Sequence, residues 1–302
     1  MKFEIVKDKK DSDSDKSDKQ EVVLNIEKPQ WTLDEIALSQ DTISQIEEMI
    51  AYIQYREKLL YEWEFNRFLK AGNGLSINFF GPPGTGKSIT AEAIAHTLQT
   101  NIAKVNYGEV ESEFPGKTSK NLTALFKQAD ETKSLLFFDE ADALLSKRIA
   151  NLSQAADHGV NTAKSTLLTL LDKFNGVIVF ATNLFDNYDE AFLRRIIFNV
   201  EFPVPDKAMR TKLWEFHLSP KIPRSLGYER AAEISDGLCG GDIKNITIKL
   251  GLKLLAGKAA EINESTMLEE IKRYKAVKER HDKQSIKEVK VEMTNSNLSD
   301  RE

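Results

Sequence analysis

A single cysteine, Cys239, stands in 302 residues, so no intrachain disulfide is possible, and such usage suits a reducing compartment. The four histidines, His96, His158, His217 and His281, are far apart with no ligand spacing, and no zinc site is expected. No apolar run approaches the roughly 18 residues that span a bilayer. The opening MKFEIVKDKKDSD lacks the apolar core of a secretory signal. Positive charge is in deficit: 42 Lys and Arg face 47 Asp and Glu, a formal net of −5. That excludes a uniformly basic surface for nucleic acid, though not a local basic pore. These absences leave a soluble, cytoplasmic protein with no membrane partner as the expectation.

What is present is enough apolar sequence, 41%, to bury a sizeable core, at a length that fits one large or two modest domains. Every residue from Lys7 to Lys19 is Lys, Asp or Ser, so residues 1–28 are expected to be a disordered, charged leader, with order beginning near Pro29 and Trp31. Residues 281–302 are polar and read as a flexible tail. Between these ends, apolar strands alternate with helical stripes. Strands are expected at Leu75–Phe80, Ile102–Tyr107, Leu135–Phe138, Val177–Ala181 and Phe198–Phe202. One helical face carries Ile43, Ile46, Met49, Ile50 and Ile53; another carries Leu122, Leu125, Phe126 and Ala129, with Ser119 as N-cap. After Pro203 and Pro205 only helical patterns remain. The alternation implies an α/β fold: a five-stranded parallel sheet with helices on both faces over residues 29–206, then a small all-α unit over 207–280. Trp63, Phe65 and Phe68 are expected in the core, Trp214 between the two units, and Cys239 as a small buried residue.

Gly81-Pro82-Pro83-Gly84-Thr85-Gly86-Lys87-Ser88 satisfies G-x-x-x-x-G-K-[ST], between an expected strand and the helical run Ile89–Leu98. Glycines let backbone N–H groups curl round a phosphate without Cβ clashes, and the following helix turns its positive end to the same anion. Lys87 supplies an ammonium for the β- and γ-phosphates, and Ser88 a hydroxyl for Mg²⁺. Downstream, Leu135-Leu136-Phe137-Phe138-Asp139-Glu140 is a buried strand ending in two carboxylates. Asp139 would hold the Mg²⁺ and Glu140 would polarise the attacking water. Loop and acids together point to a P-loop enzyme acting on a nucleoside triphosphate with Mg²⁺.

With GPPGTGKS (81–88), LLFFDEAD (135–142), ATN (181–183) and DEAFLRRI (189–196) in this order, the chain resembles the AAA+ ATPases of the classical AAA branch, from roughly Trp31 to Leu255. Phe202–Asp206 and Gly240-Gly241-Asp242-Ile243-Lys244-Asn245 liken it further to bacterial AAA ATPases that stand alone or accompany contractile injection systems. The resemblance implies that the nucleotide is ATP, that Asn183 is sensor 1, and that Arg194 or Arg195 is an arginine finger acting on a neighbour's nucleotide; alignment back from Pro205 favours Arg195. It also implies that Ile36 and Ala37, in the segment Asp34–Ala37, read the adenine, and that the remaining nucleotide contacts come from Pro83–Ile89, Gly241 and Asp242. Sensor 2 is either Lys244 or missing.

A finger acting in trans implies a homo-oligomer, in this family a hexamer. Phe114-Pro115-Gly116 stands where the family carries an aromatic pore loop, and an aromatic ring can grip unrelated side chains at low entropic cost. Phe114 as a core residue is the alternative. Lys147–Gly159 is either a second pore loop or a plain surface loop. The function expected is ATP-driven remodelling, unfolding or disassembly of protein substrates, with a separate protease or adaptor as a further partner. A nucleic-acid motor or loader, and a slow ATP-dependent assembly switch, are the alternatives.

Overall fold

The computed structural model describes residues 23–69, 74–110, 116–147, 155–183 and 188–280. Six strands form one sheet: β1 (Asn25–Glu27), β2 (Leu75–Phe80), β3 (Ile102–Asn106), β4 (Leu135–Asp139), β5 (Val177–Thr182) and β6 (Phe198–Glu201), in the spatial order β1-β3-β4-β5-β2-β6. The last five run parallel, as the alternation required. β1 is antiparallel to β3, pairing Asn25 with Lys104 and Glu27 with Ile102. It falls inside the segment expected to be a leader. The polar run stops at Glu21, and Leu24 is buried in the core beyond β3. Three residues are too short to show a periodicity.

Helices cover both faces. α1 (Gln40–Gln54) and α2 (Lys87–Thr97) pack on one side, and α4 (Lys117–Thr132) and α6 (Ala155–Lys173) on the other. Alternate residues of the central strands serve the two cores. Phe137, Val179 and Ile77 join Ile46, Met49 and Ile94; Leu136, Phe138 and Phe180 join Leu122, Leu125 and Leu167. Burial on both faces is why Leu135–Phe138 of β4 are apolar without a break. Short helices α3 (Tyr107–Val110), α5 (Asp142–Leu145) and α7 (Glu190–Leu193) stand at the carboxyl ends of the strands or beyond them.

Past Pro205, α8 (Lys207–His217), α9 (Tyr228–Ile234), α10 (Gly240–Leu255) and α11 (264–280) enclose a third core. Trp214 is fully buried in that core rather than between the units, and its Nε1 donates to Ser235 Oγ at 2.8 Å. Two other expectations are corrected. Gly116, with φ 76°, caps α4, so Ser119 lies one turn inside the helix. Trp63 and Phe68 are exposed and pack against Phe65, with ring centroids 6.4 and 5.2 Å away, because the chain turns outward through a left-handed Glu64. No helix among the described residues is long and apolar enough to cross a membrane.

Candidate nucleotide site

The carboxyl ends of β2, β4 and β5 converge on a cleft of about 580 Å³. In open parallel sheets this is where ligands bind. β2 runs into the phosphate loop, whose glycines have φ of 136° (Gly81), 76° (Gly84) and 107° (Gly86). A Cβ on Gly81 would lie 2.2 Å from the Phe202 carbonyl oxygen, so glycine is required twice over, by conformation and by space. Gly86 then caps α2, which starts at Lys87.

Lys87 is buried, and its Nζ donates to the carbonyls of Gly81 (2.5 Å) and Pro82 (3.0 Å) and to Asn183 Oδ1 (3.0 Å). Burial pushes its ammonium below the usual lysine range, opposed by Asp139 and Asp142. Ser88 Oγ donates to Asp139 Oδ2 at 3.3 Å, and Asp139 Oδ1 accepts the Glu140 amide at 3.0 Å. Glu140 has φ 50°, a left-handed conformation that costs a non-glycine residue roughly 1 kcal/mol or more. Asn183 directly follows β5, and its amide donates to both oxygens of Asp142, at 3.1 and 3.3 Å.

The lid closes the cleft from the other side. The amide of Gly241, in the first turn of α10, donates to the Gly84 carbonyl. Ile36, Ala37, Gly241 and Lys244 line the cleft together with Pro83–Ile89, Asp139, Glu140 and Asn183. Asp242 does not. It is buried within the lid, accepting from the Cys239 amide (2.9 Å), Tyr274 Oη (2.8 Å) and Lys278 Nζ (2.9 Å). A helix-capping carboxylate with three donors is taken up by the lid's own groups rather than by the cleft. Pro205, from the Phe202–Asp206 motif, also lines the cleft, as do Trp31, Leu213, Phe216 and His217, none of which is marked by a local motif. Trp31 and Phe216 pack with ring centroids 5.9 Å apart. Burial, and then nearby Lys244, push His217 below the ordinary histidine range.

The two arginines differ sharply. Arg195 Nε and Nη2 form a bidentate pair with Asp172, at 2.7 and 2.8 Å, and Nη1 donates to the Ala191 carbonyl at 2.9 Å. The favoured finger is thus held by its own subunit, since its position on the inward side of the α7 turn faces α6. Arg194 is 78% exposed, and among the described residues it makes one loose pair, to Glu190 at 3.3 Å. Phe114 and Pro115 lie outside the described residues, as does most of the loop after Lys147.

Residues 77–205 match the family model described as "ATPase family associated with various cellular activities (AAA)". The chain is 30% identical over 232 residues to a proteasome-activating nucleotidase of Saccharolobus islandicus, covering 74% of this chain and 57% of that protein. It is 29% identical over 275 residues to a namesake in Saccharolobus solfataricus, covering 86% and 68%. It is 29% identical over 210 residues to 26S proteasome subunit RPT4 of Saccharomyces cerevisiae, covering 67% and 48%. The chain thus spans little more than half the length of the first of these relatives. All three are proteasomal, so the finer likeness to injection-system ATPases gains nothing from them.

Proposed function

We propose, from the premise that residues 77–205 belong to the AAA family of ATPases, that this chain binds ATP with Mg²⁺ between phosphate loop and lid, hydrolyses it in a ring of like subunits, and spends the cycle on remodelling protein substrates. The observation that carries the proposal is the convergence of Lys87, Ser88, Asp139, Glu140 and Asn183 on one cleft. Lys87 would exchange neutral acceptors for charged phosphate oxygens, a stronger hydrogen bond. Ser88 and Asp139 put two hard oxygens side by side, which fits Mg²⁺. No three His, Cys, Asp or Glu among the described residues converge on a metal, so the nucleotide's phosphates would complete its shell. The ion would screen phosphate charge and orient the terminal group.

Glu140, exposed at the mouth of the cleft, would orient and polarise the attacking water, with Asn183 beside it. Arg194, free to reach outward, would serve a neighbour's γ-phosphate, and Arg195 would hold the segment in place. Relatives named for the proteasome favour a polypeptide substrate and a separate proteolytic partner. Phe114, ahead of the Gly116 cap, would grip that polypeptide. Trapping with the Glu140→Gln variant in ATP tests the substrate class. Captured polypeptide supports the proposal; captured nucleic acid in its place, or specific ATPase activity that stays flat on dilution, overturns it.

A further inference from the structure

Asp142 closes the acidic motif that ends β4, and the chemistry above gives it no part. It opens the four-residue helix α5, and both its carboxylate oxygens hold the Asn183 amide at the end of β5. The preceding residue, Ala141, donates to the Ala181 carbonyl at 2.9 Å, so the same end of α5 is fastened to β5 twice. At the other end, the Leu145 carbonyl accepts the Asp189 amide at 2.9 Å. Asp189 is the N-cap of α7, its carboxylate accepting the Ala191 amide, and α7 runs directly into Arg194. Ser146 bridges Tyr188 beside this contact. Lys164, fully buried, donates to the Ser146 carbonyl and hydroxyl and to the Lys147 carbonyl, which ties the residues after α5 to α6. Leu144 and Leu145 are buried in the core below.

We infer that Asp142 is a positioning residue that couples the residue beside the γ-phosphate, Asn183, to the arginine the same subunit offers its neighbour, Arg194. α5 is a strut about 6 Å long with a hydrogen bond at each end. A displacement of Asn183 at one end must move Asp189 at the other, because the core below α5 leaves little room to absorb it. Hydrolysis in one site would thus reset the finger serving the next. The inference rests on the proposed shared site.

Mixed-subunit ATPase measurements test it with the full chain. A Lys87→Ala subunit keeps its finger, and an Arg194→Ala subunit keeps its phosphate loop, so their one-to-one mixture should exceed the sum of the pure variants several-fold. Asp142→Ala should bind ATP with unchanged Kd and lose at least about tenfold in kcat with little change in KM, as expected when a transition-state contact is lost. Mixed with Arg194→Ala, it should show no gain, because its own finger is misplaced as well. Asp142→Asn keeps an acceptor for the Asn183 amide and should restore both properties. A gain in the Asp142→Ala and Arg194→Ala mixture equal to that of the first mixture overturns the coupling while leaving the shared site intact. No gain in the first mixture removes the shared site and the coupling together. Should Asp142→Ala not fold, Asp142→Ser, one atom short of the carboxylate oxygens, takes its place in the same mixtures.

Discussion

The Gly241 amide donates to the Gly84 carbonyl across 3.1 Å, so the lid helix begins on the bend of the phosphate loop. A Cβ at Gly241 would stand 3.4 Å from Gly84 Cα, at the edge of tolerance. At Gly81 tolerance is gone. Gly81→Ala forces an alanine to φ 136° and against the Phe202 carbonyl. It should destabilise by about 2 kcal/mol or more. Thermal unfolding should show a fall in Tm of about 4–8 °C. An unchanged Tm would mean that the loop backbone yields.

Lys87→Ala and Glu140→Gln should split binding from chemistry. The first removes the cation proposed for the phosphates and should abolish nucleotide binding, measured by calorimetry. The second preserves shape but removes the charge proposed to polarise water, so binding should persist while turnover drops about 10²-fold or more. Near-normal turnover in Glu140→Gln would remove that residue from the chemistry.

Arg194 and Arg195 should fail in different ways. Arg194→Ala should leave Tm unchanged and lower turnover by about 10³-fold, the usual worth of a trans arginine. Arg195→Ala opens a bidentate pair whose partners are about one third exposed. It should cost about 1 kcal/mol, and Asp172→Ala should reproduce its fall in Tm. The opposite pattern would return the finger to Arg195.

His217 titrates below the ordinary histidine value because it is buried and because Lys244 repels its charged form. The folded state therefore takes up this proton later than the unfolded chain. Stability from this group is present above the unfolded value, about 6.5, and is lost as pH falls below it. Lys244→Ala should move the His217 titration partway back up, as followed by NMR. No movement would place Lys244 too far away to be felt.

The phosphate half of the site was legible because it is local. Gly81–Ser88 and Asp139–Glu140 announce themselves by spacing alone, and the flanking apolar runs fix strand and helix. The other half was not. Trp31, Leu213, Phe216 and His217 meet only after α8 folds back over the segment that carries Trp31, and nothing near any of them in sequence says so. Asp242 misled because an acid at a helix start serves a ligand or its own helix equally well in sequence; Tyr274 and Lys278, more than 30 residues on, decide the matter. Arg194 and Arg195 are adjacent letters, and only the turn of α7 against Asp172 tells them apart. The five parallel strands fell where apolar runs placed them, whereas β1, with three residues, carries its identity in its pairing with β3.

The three tryptophans divide the molecule into optically separate reporters. Trp214 sits dry in the lid core with its indole N–H engaged, so its emission follows the melting of that unit alone. Trp63 is open to solvent and should yield to a soluble quencher in any state. Trp31 lines the cleft in contact with Phe216 of α8, between the two units that meet there. Nucleotide entering this cleft would therefore change fluorescence largely through Trp31. The native chain would then carry its own occupancy signal, and replacing Trp63 with phenylalanine would clear the background from it.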